Sequence, residues 1–324
     1  MTLLAVQGCA PATPADADAI THPRHSVSLS TAQAIYRSYL AASDAAAAAG
    51  DAEQGLAAVS YAQRAQVKAQ YTALATVGTA VPRYRYSQPV FYVPALARTP
   101  RWFVVSASRS TFTHGQLGAP VPTLLLFTQV KSTEPWTLSG SAVLDQSLPA
   151  IARDSDGYAI DVTTTDSSLL LRPDVAGATQ AAVVDQGPAS PAAAVVAAGP
   201  RTTGFYAAQS AQAAEQAKGL RYSWLLQGAA FPQFELRLAG GGALVLYGMY
   251  LNTTDEHPNL VAGAPIPVPA AFSPLLVAPT EIGYHAVYAN WTYEFAAIDP
   301  PATAGHAKLQ VIAAEGAPSY GHAY

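Results

Sequence analysis

The chain has 324 residues, half of them hydrophobic, and only 12% carry a charge, with a formal net charge of −4. That length suits two domains of roughly 100–200 residues each, and the charged fraction is about half the usual ~25%. No basic stripe stands out, so the electrostatic footprint of a nucleic-acid-binding protein is missing. Arg outnumbers Lys and Ala is abundant, which reads as the coding bias of a GC-rich genome such as an actinobacterium.

Cys9 is the only cysteine, so no intramolecular disulfide is available. It follows Leu3-Leu4-Ala5-Val6-Gln7-Gly8, and a Pro/Ala/Thr-rich stretch follows it. A small apolar run ending in Gly-Cys resembles the lipobox of a bacterial lipoprotein. That resemblance implies that Cys9 is acylated with palmitate-type chains and becomes the first residue of the mature protein. The localisation expected is the extracytoplasmic face of the cell membrane, with the membrane as partner through the lipid anchor. Eight residues without a positive charge precede Cys9. A signal peptide needs a basic start and an apolar stretch of about 7–15 residues, so the reading expects a leader that starts upstream of Met1. No segment approaches the ~18 apolar residues of a membrane-spanning helix.

Residues 1–27 therefore read as a lipobox-like start and a flexible tether, with Pro11, Pro14 and Pro23 and no apolar periodicity. His22 and His25 lie within it and read as solvated rather than as metal ligands. Ser30 with Gln33 three residues on has the form of a capping box. Ile35, Tyr39 and Ala42, then Val59, Val67, Tyr71 and Leu74, recur near helical spacing, ending near Gly78 and Pro82. Strand patterns follow at 84–87, 90–93, 102–108, 124–130 and 136–144. Helices followed by a meander of strands is the α+β order, and residues 28–150 read as a first α+β domain.

Residues 151–200 read as a connector with a turn at Asp154-Ser155-Asp156-Gly157, a short strand at 158–162 and one short helix. The turn looks like the opening of a calcium loop, but position twelve is Thr165 instead of the closing Glu, so an Asx turn is the reading. Residues 201–324 then repeat the order: a helix from Thr203 closed by Gly219, Arg221-Tyr222-Ser223 echoing Arg85-Tyr86-Ser87, a hairpin around Gly240-Gly241-Gly242, a Pro-rich excursion from Pro258 to Pro279, and strands at 284–295 and 309–313. The sequence thus predicts two similar α+β units, each a helix followed by a curved antiparallel sheet.

No G-x-S-x-G elbow, phosphate loop, H-E-x-x-H or dinucleotide fingerprint occurs. No catalytic residue, cofactor site or metal site is therefore assigned, and lipidation at Cys9 is the one functional position named. Asp255-Glu256-His257 reads as a solvated loop, because adjacent residues point in different directions. In the strand from Tyr284, period two puts Tyr288, Asn290, Thr292 and Glu294 on one face. Glu294, with Glu281 and His285 upstream, is the candidate set for an acidic/His pocket; the plain alternative is an ordinary strand with one face in water. The acceptor triplets Asn252-Thr253-Thr254 and Asn290-Trp291-Thr292 carry little weight in a bacterium.

The lipobox-like start, the tether and the paired halves resemble uncharacterised secreted actinobacterial lipoproteins with tandem cystatin-like or NTF2-like domains. The phrases Asp156-Gly157-Tyr158-Ala159 and Val311-Ile312-Ala313-Ala314-Glu315-Gly316 carry that resemblance over residues 28–316. It implies a non-enzymatic, lipid-anchored protein that binds an envelope ligand or protein in a sheet concavity or between the units. The other expectations are an NTF2-like enzyme with an acidic/His pocket, and a structural accessory of a membrane complex.

Overall fold

The computed structural model describes residues 25–95, 98–216, 219–258, 264–276 and 283–324. Cys9, His22 and Glu281 lie outside them. Three helices open the described chain: α1 (Leu29–Ala49), α2 (Ala52–Ala57) and α3 (Tyr61–Val77). The cap of α1 is Ser28, whose hydroxyl accepts from the Thr31 N–H at 3.1 Å. Ser30 already lies inside the helix, so the expected Ser30–Gln33 capping box gives way to the serine two residues earlier. The ordered structure also begins sooner than Ser30: the His25 ring stacks on Tyr158 at 3.5 Å and Ser26 is buried.

Five strands follow: β1 (Tyr84–Tyr92), β2 (Arg101–Thr113), β3 (Gln116–Leu117), β4 (Val121–Gln129) and β5 (Thr137–Leu144). The connector holds α4 (Ala176–Gln186) and short 3-10 turns at Pro173–Val175 and Pro191–Ala194. The strand expected at 158–162 is reduced to isolated bridges, Ala159 to Pro94 and Arg153, and Asp161 to Leu236. Asp154 makes the Asx turn: its Oδ1 accepts from the N–H groups of Asp156 (3.0 Å) and Tyr158 (2.9 Å). The chain ends in α5 (Thr203–Gln216), β6 (Arg221–Gly228), β7 (Phe234–Arg237), β8 (Ala243–Glu256), β9 (Ala286–Asp299) and β10 (Gln310–Ala323). Asp255 and Glu256, expected in a loop, are the last two residues of β8.

The fold is α+β, with the ten strands of the described residues in one sheet ordered β1-β2-β4-β5-β10-β9-β8-β6; β3 is attached to β2 and β7 to β8. Each strand pairing is antiparallel. The chain order is mirrored about the β5–β10 contact. Arg85-Tyr86-Ser87 and Arg221-Tyr222-Ser223 occupy equivalent places, near the start of the outermost strand on either side.

The contact at the centre is narrow. β5 and β10 pair only through Leu144 with Ala313 and Val143 with Ala314. Packing supplies what the ladder lacks. One buried cluster joins Trp102, Leu124 and Leu126 from one side to Phe234, Leu246 and Ala296 from the other, with the Trp102 and Phe234 rings 5.0 Å apart. α3 packs against β5, β10 and β9. Its buried Gln66 donates to the Thr292 carbonyl at 3.0 Å, and Ser60, just before it, donates its N–H to Leu138 O at 2.9 Å. The remaining core lies under the helices: α1 over Phe103, Leu125 and Phe127, and α4 beside Tyr247, Met249 and Phe295.

Candidate functional site

Two concave features stand out, and Tyr39 of α1 lines both. The larger is an open groove of about 570 Å³ between α1 and α2. Ile35, Tyr39 and Ala42, at helical spacing, form one wall, Ala57 and Ala58 another, and Pro135 with Trp136 close the end. Trp136 is held by the Phe103 ring at 5.2 Å and by the Arg101 guanidinium over its face at 6.0 Å. The groove owes its width to alanines where two helices meet. Among the described residues its polar lining is limited to Ser38, Gln54 and the tyrosine, with no formal charge. Its volume falls in the ~300–1,000 Å³ range of small-molecule sites, which are mostly apolar with a few polar groups.

The smaller is an inner cavity of about 60 Å³ between the helices and the sheet, room for a few water molecules rather than a ligand. A buried ion pair crosses its base. Arg109 of β2 donates to Glu315 of β10 through both terminal nitrogens at 2.8 Å and to Ser141 Oγ of β5 at 3.2 Å. Ser141 in turn donates to Glu315 at 2.7 Å, and the guanidinium lies over the Tyr84 ring at 4.6 Å. The cluster bridges strands from both sides of the narrow β5–β10 contact. Burial pushes the nearby Tyr39 phenol up to about 12.

Glu294 stands opposite Glu315 across the β9–β10 ladder and is 6% exposed. Desolvation, and then the Glu315 charge, raise its carboxyl well above the usual carboxylate range. Gly140 makes the room: a Cβ there would lie 2.8 Å from a Glu294 oxygen, whereas one at Gly248 would meet the Phe231 ring at 2.6 Å. Thr292 is buried as well, whereas Tyr288 and Asn290 on the same strand face are half-exposed.

Glu294 and His285 do not converge. Glu294 lies nine positions after His285 along nearly extended chain, about 30 Å at ~3.3 Å per residue. His285 stacks on Tyr324 at 5.9 Å, and Glu281 lies outside the described residues. Among the described residues no group of three His, Cys, Asp or Glu is placed to hold a metal ion. Asp255 is buried on one face of β8, while Glu256 on the other face pairs with Arg221 at 3.4 Å. His257 contacts the Ala264 carbonyl at 2.8 Å. The acceptor asparagines sit side by side, Asn290 donating to Asn252 at 2.7 Å.

Neither the groove nor the ion pair is announced in the sequence. The groove is floored by Ala, which gives no pattern of its own. Arg109 and Glu315 are 206 residues apart, and only the strand order brings them together.

Fold and groove together define an α+β protein built on one antiparallel sheet, with an uncharged cleft in its helical layer. The chain belongs to the family described as Domain of unknown function (DUF8094), which matches residues 23–317. It is 27% identical over 184 residues to a protein of Streptomyces avermitilis named "Uncharacterized lipoprotein", covering 53% of this chain. The matched segment spans about half (52%) of that relative's length. No solved structure matches the chain. Among the described residues no helix is long and apolar enough to cross a membrane.

Proposed function

We propose that this chain is an extracytoplasmic lipoprotein, acylated at Cys9, that binds an apolar small molecule in the α1–α2 groove without chemical conversion. The observation that carries the binding reading is the groove itself: 570 Å³, uncharged, and ended by a fixed tryptophan. Burying apolar ligand surface there is worth about 25 cal/mol per Å² before the cost of association. The lipobox-like residues before Cys9 and the name of the Streptomyces relative support the anchor. The mirrored strand order supports a duplicated α+β unit, residues 28–150 and 201–324, joined by 151–200, and each unit is proposed to be cystatin/NTF2-like.

Two experiments test this reading. Cells of an actinobacterial host fed an alkynyl palmitate should label the full-length protein with its native leader, and Cys9→Ser should abolish the label. Persistent labelling of Cys9→Ser, or an unlabelled parent, removes the anchor. For the groove, N-phenyl-1-naphthylamine should give a saturable fluorescence rise with the parent. Ala57→Phe, which fills the cleft from an exposed helix position, should weaken that binding at least tenfold. An unsaturable rise, or an unchanged affinity in Ala57→Phe, counts against it.

A further inference from the structure

The far end of the sheet presents a second surface, distinct from the groove. Strand register places three rows of side chains on one face of β6, β8, β9 and β10. The first row is Leu225, Asn252, Asn290 and Tyr320; the second is Ser223, Thr254, Tyr288 and His322. The third is Arg221, Glu256 and Ala286, with Tyr324 beyond the strand end donating its N–H to Ala286 O. Of these only Ala286 is buried. The opposite face is closed: Tyr222, Asp255, Val287 and Ala323, mutually in register, are all buried. Ile266, Val268 and Leu276 of the Pro-rich excursion pack there, beside Val287 and Ala323.

The open face has an unusual make-up for a solvated sheet. Among the described residues its only Asp, Glu, Lys or Arg side chains are Arg221 and Glu256, which pair at 3.4 Å. Rings form a block: Tyr288 lies 5.8 Å from Tyr324 at 19°, and His322 lies 5.9 Å from Tyr324 at 28°. The Tyr288 and Tyr324 hydroxyls are 3.2 Å apart. The Asn252–Asn290 amide pair is held by Ser319, which donates to Asn290 Oδ1 at 2.5 Å. Tyrosine with Asn, Ser and Thr supplies amphipathic contact area at low entropic cost together with adaptable hydrogen bonds.

We propose that this face binds a neutral polysaccharide. Sugar rings offer C–H faces to the tyrosines and hydroxyls to the amides and hydroxyls, and they bring no charge to a surface whose acidic and basic side chains, Glu256 and Arg221, are paired. A protein partner would bury an apolar interface core, and the face offers one exposed aliphatic side chain, Leu225 (49% exposed). In native gels cast with soluble dextran or mannan, the parent should be retarded by at least one of them. The Tyr288→Ala/Tyr324→Ala variant should lose that retardation at least tenfold in apparent affinity, while Ala57→Phe keeps it. Asn252→Ala, a smaller change on the same face, should weaken it as well. The proposal is overturned if neither neutral polysaccharide retards the parent, if only dextran sulfate does, or if a correctly folded tyrosine variant, judged by its circular dichroism, is retarded like the parent. Since Ala57→Phe touches only the groove, failure here leaves the groove reading standing, and the reverse.

Discussion

Replacing Arg109 by Ala should destabilise the protein by about 3 kcal/mol, the lower end of what breaking a buried ion pair costs. The guanidinium is 9% exposed and its partner carboxylate 23%. Without it Glu315 keeps only the Ser141 hydroxyl and stands opposite the buried Glu294 carboxyl. The loss comes mainly from stranding a charge, not from the net worth of the pair. The double variant Arg109→Met/Glu315→Leu should therefore recover most of the stability. Urea unfolding midpoints of the three proteins measure this. An Arg109→Ala loss below about 1 kcal/mol would mean that the cluster does not bind the two sides of the sheet together.

The second large effect is on pH dependence. Glu235 of β7 is 3% exposed. Burial pushes its carboxyl up to about 8, with Arg98 pulling down and Asp161 and Asp174 pushing up. In the unfolded chain the same group titrates near 4.3. Between those values the folded protein holds a proton that the unfolded chain has released. Its contribution is thus fully present below the unfolded pKa and is lost as pH rises through about 8. At ~1.4 kcal/mol per unit, the loss is of order 5 kcal/mol. Glu235→Gln keeps the shape and removes the titration. The variant should match the parent within about 1 kcal/mol near pH 4 and exceed it by roughly 3 kcal/mol or more near pH 9. Asp299, pushed up to about 7 chiefly by burial, leaves a slope of the same sign in both proteins. Parallel stability–pH curves for parent and variant would show that Glu235 is not held protonated.

Much of the architecture is legible in local pattern. Period two in β9 correctly groups Tyr288, Asn290, Thr292 and Glu294, because alternation is a property of the strand alone. Where that face stops being open is not local. Thr292 and Glu294 are buried where α3 and its flanks reach the sheet: Gln66 donates to Thr292 O, and the Phe231 ring lies over Gly248, next to Glu294, and against Tyr61. The first helix shows the same limit at smaller scale: the capping-box pattern marks Ser30, and the backbone uses Ser28 instead. The Arg109–Glu315 pair depends on the placing of β10 beside β5, a pairing of two residues on each strand that no periodicity signals. The alanine-floored groove depends on the angle between two helices, which composition does not encode.

The binding reading is tested most directly by asking where an apolar ligand sits. A brominated alkyl chain quenches tryptophan fluorescence only at close range, and Trp136 closes the end of the groove. Titration of the parent should give saturable quenching, and Trp136→Phe should lose most of it while still binding N-phenyl-1-naphthylamine. Equal quenching in parent and Trp136→Phe, or none in the parent, would place the ligand elsewhere and contradict the account.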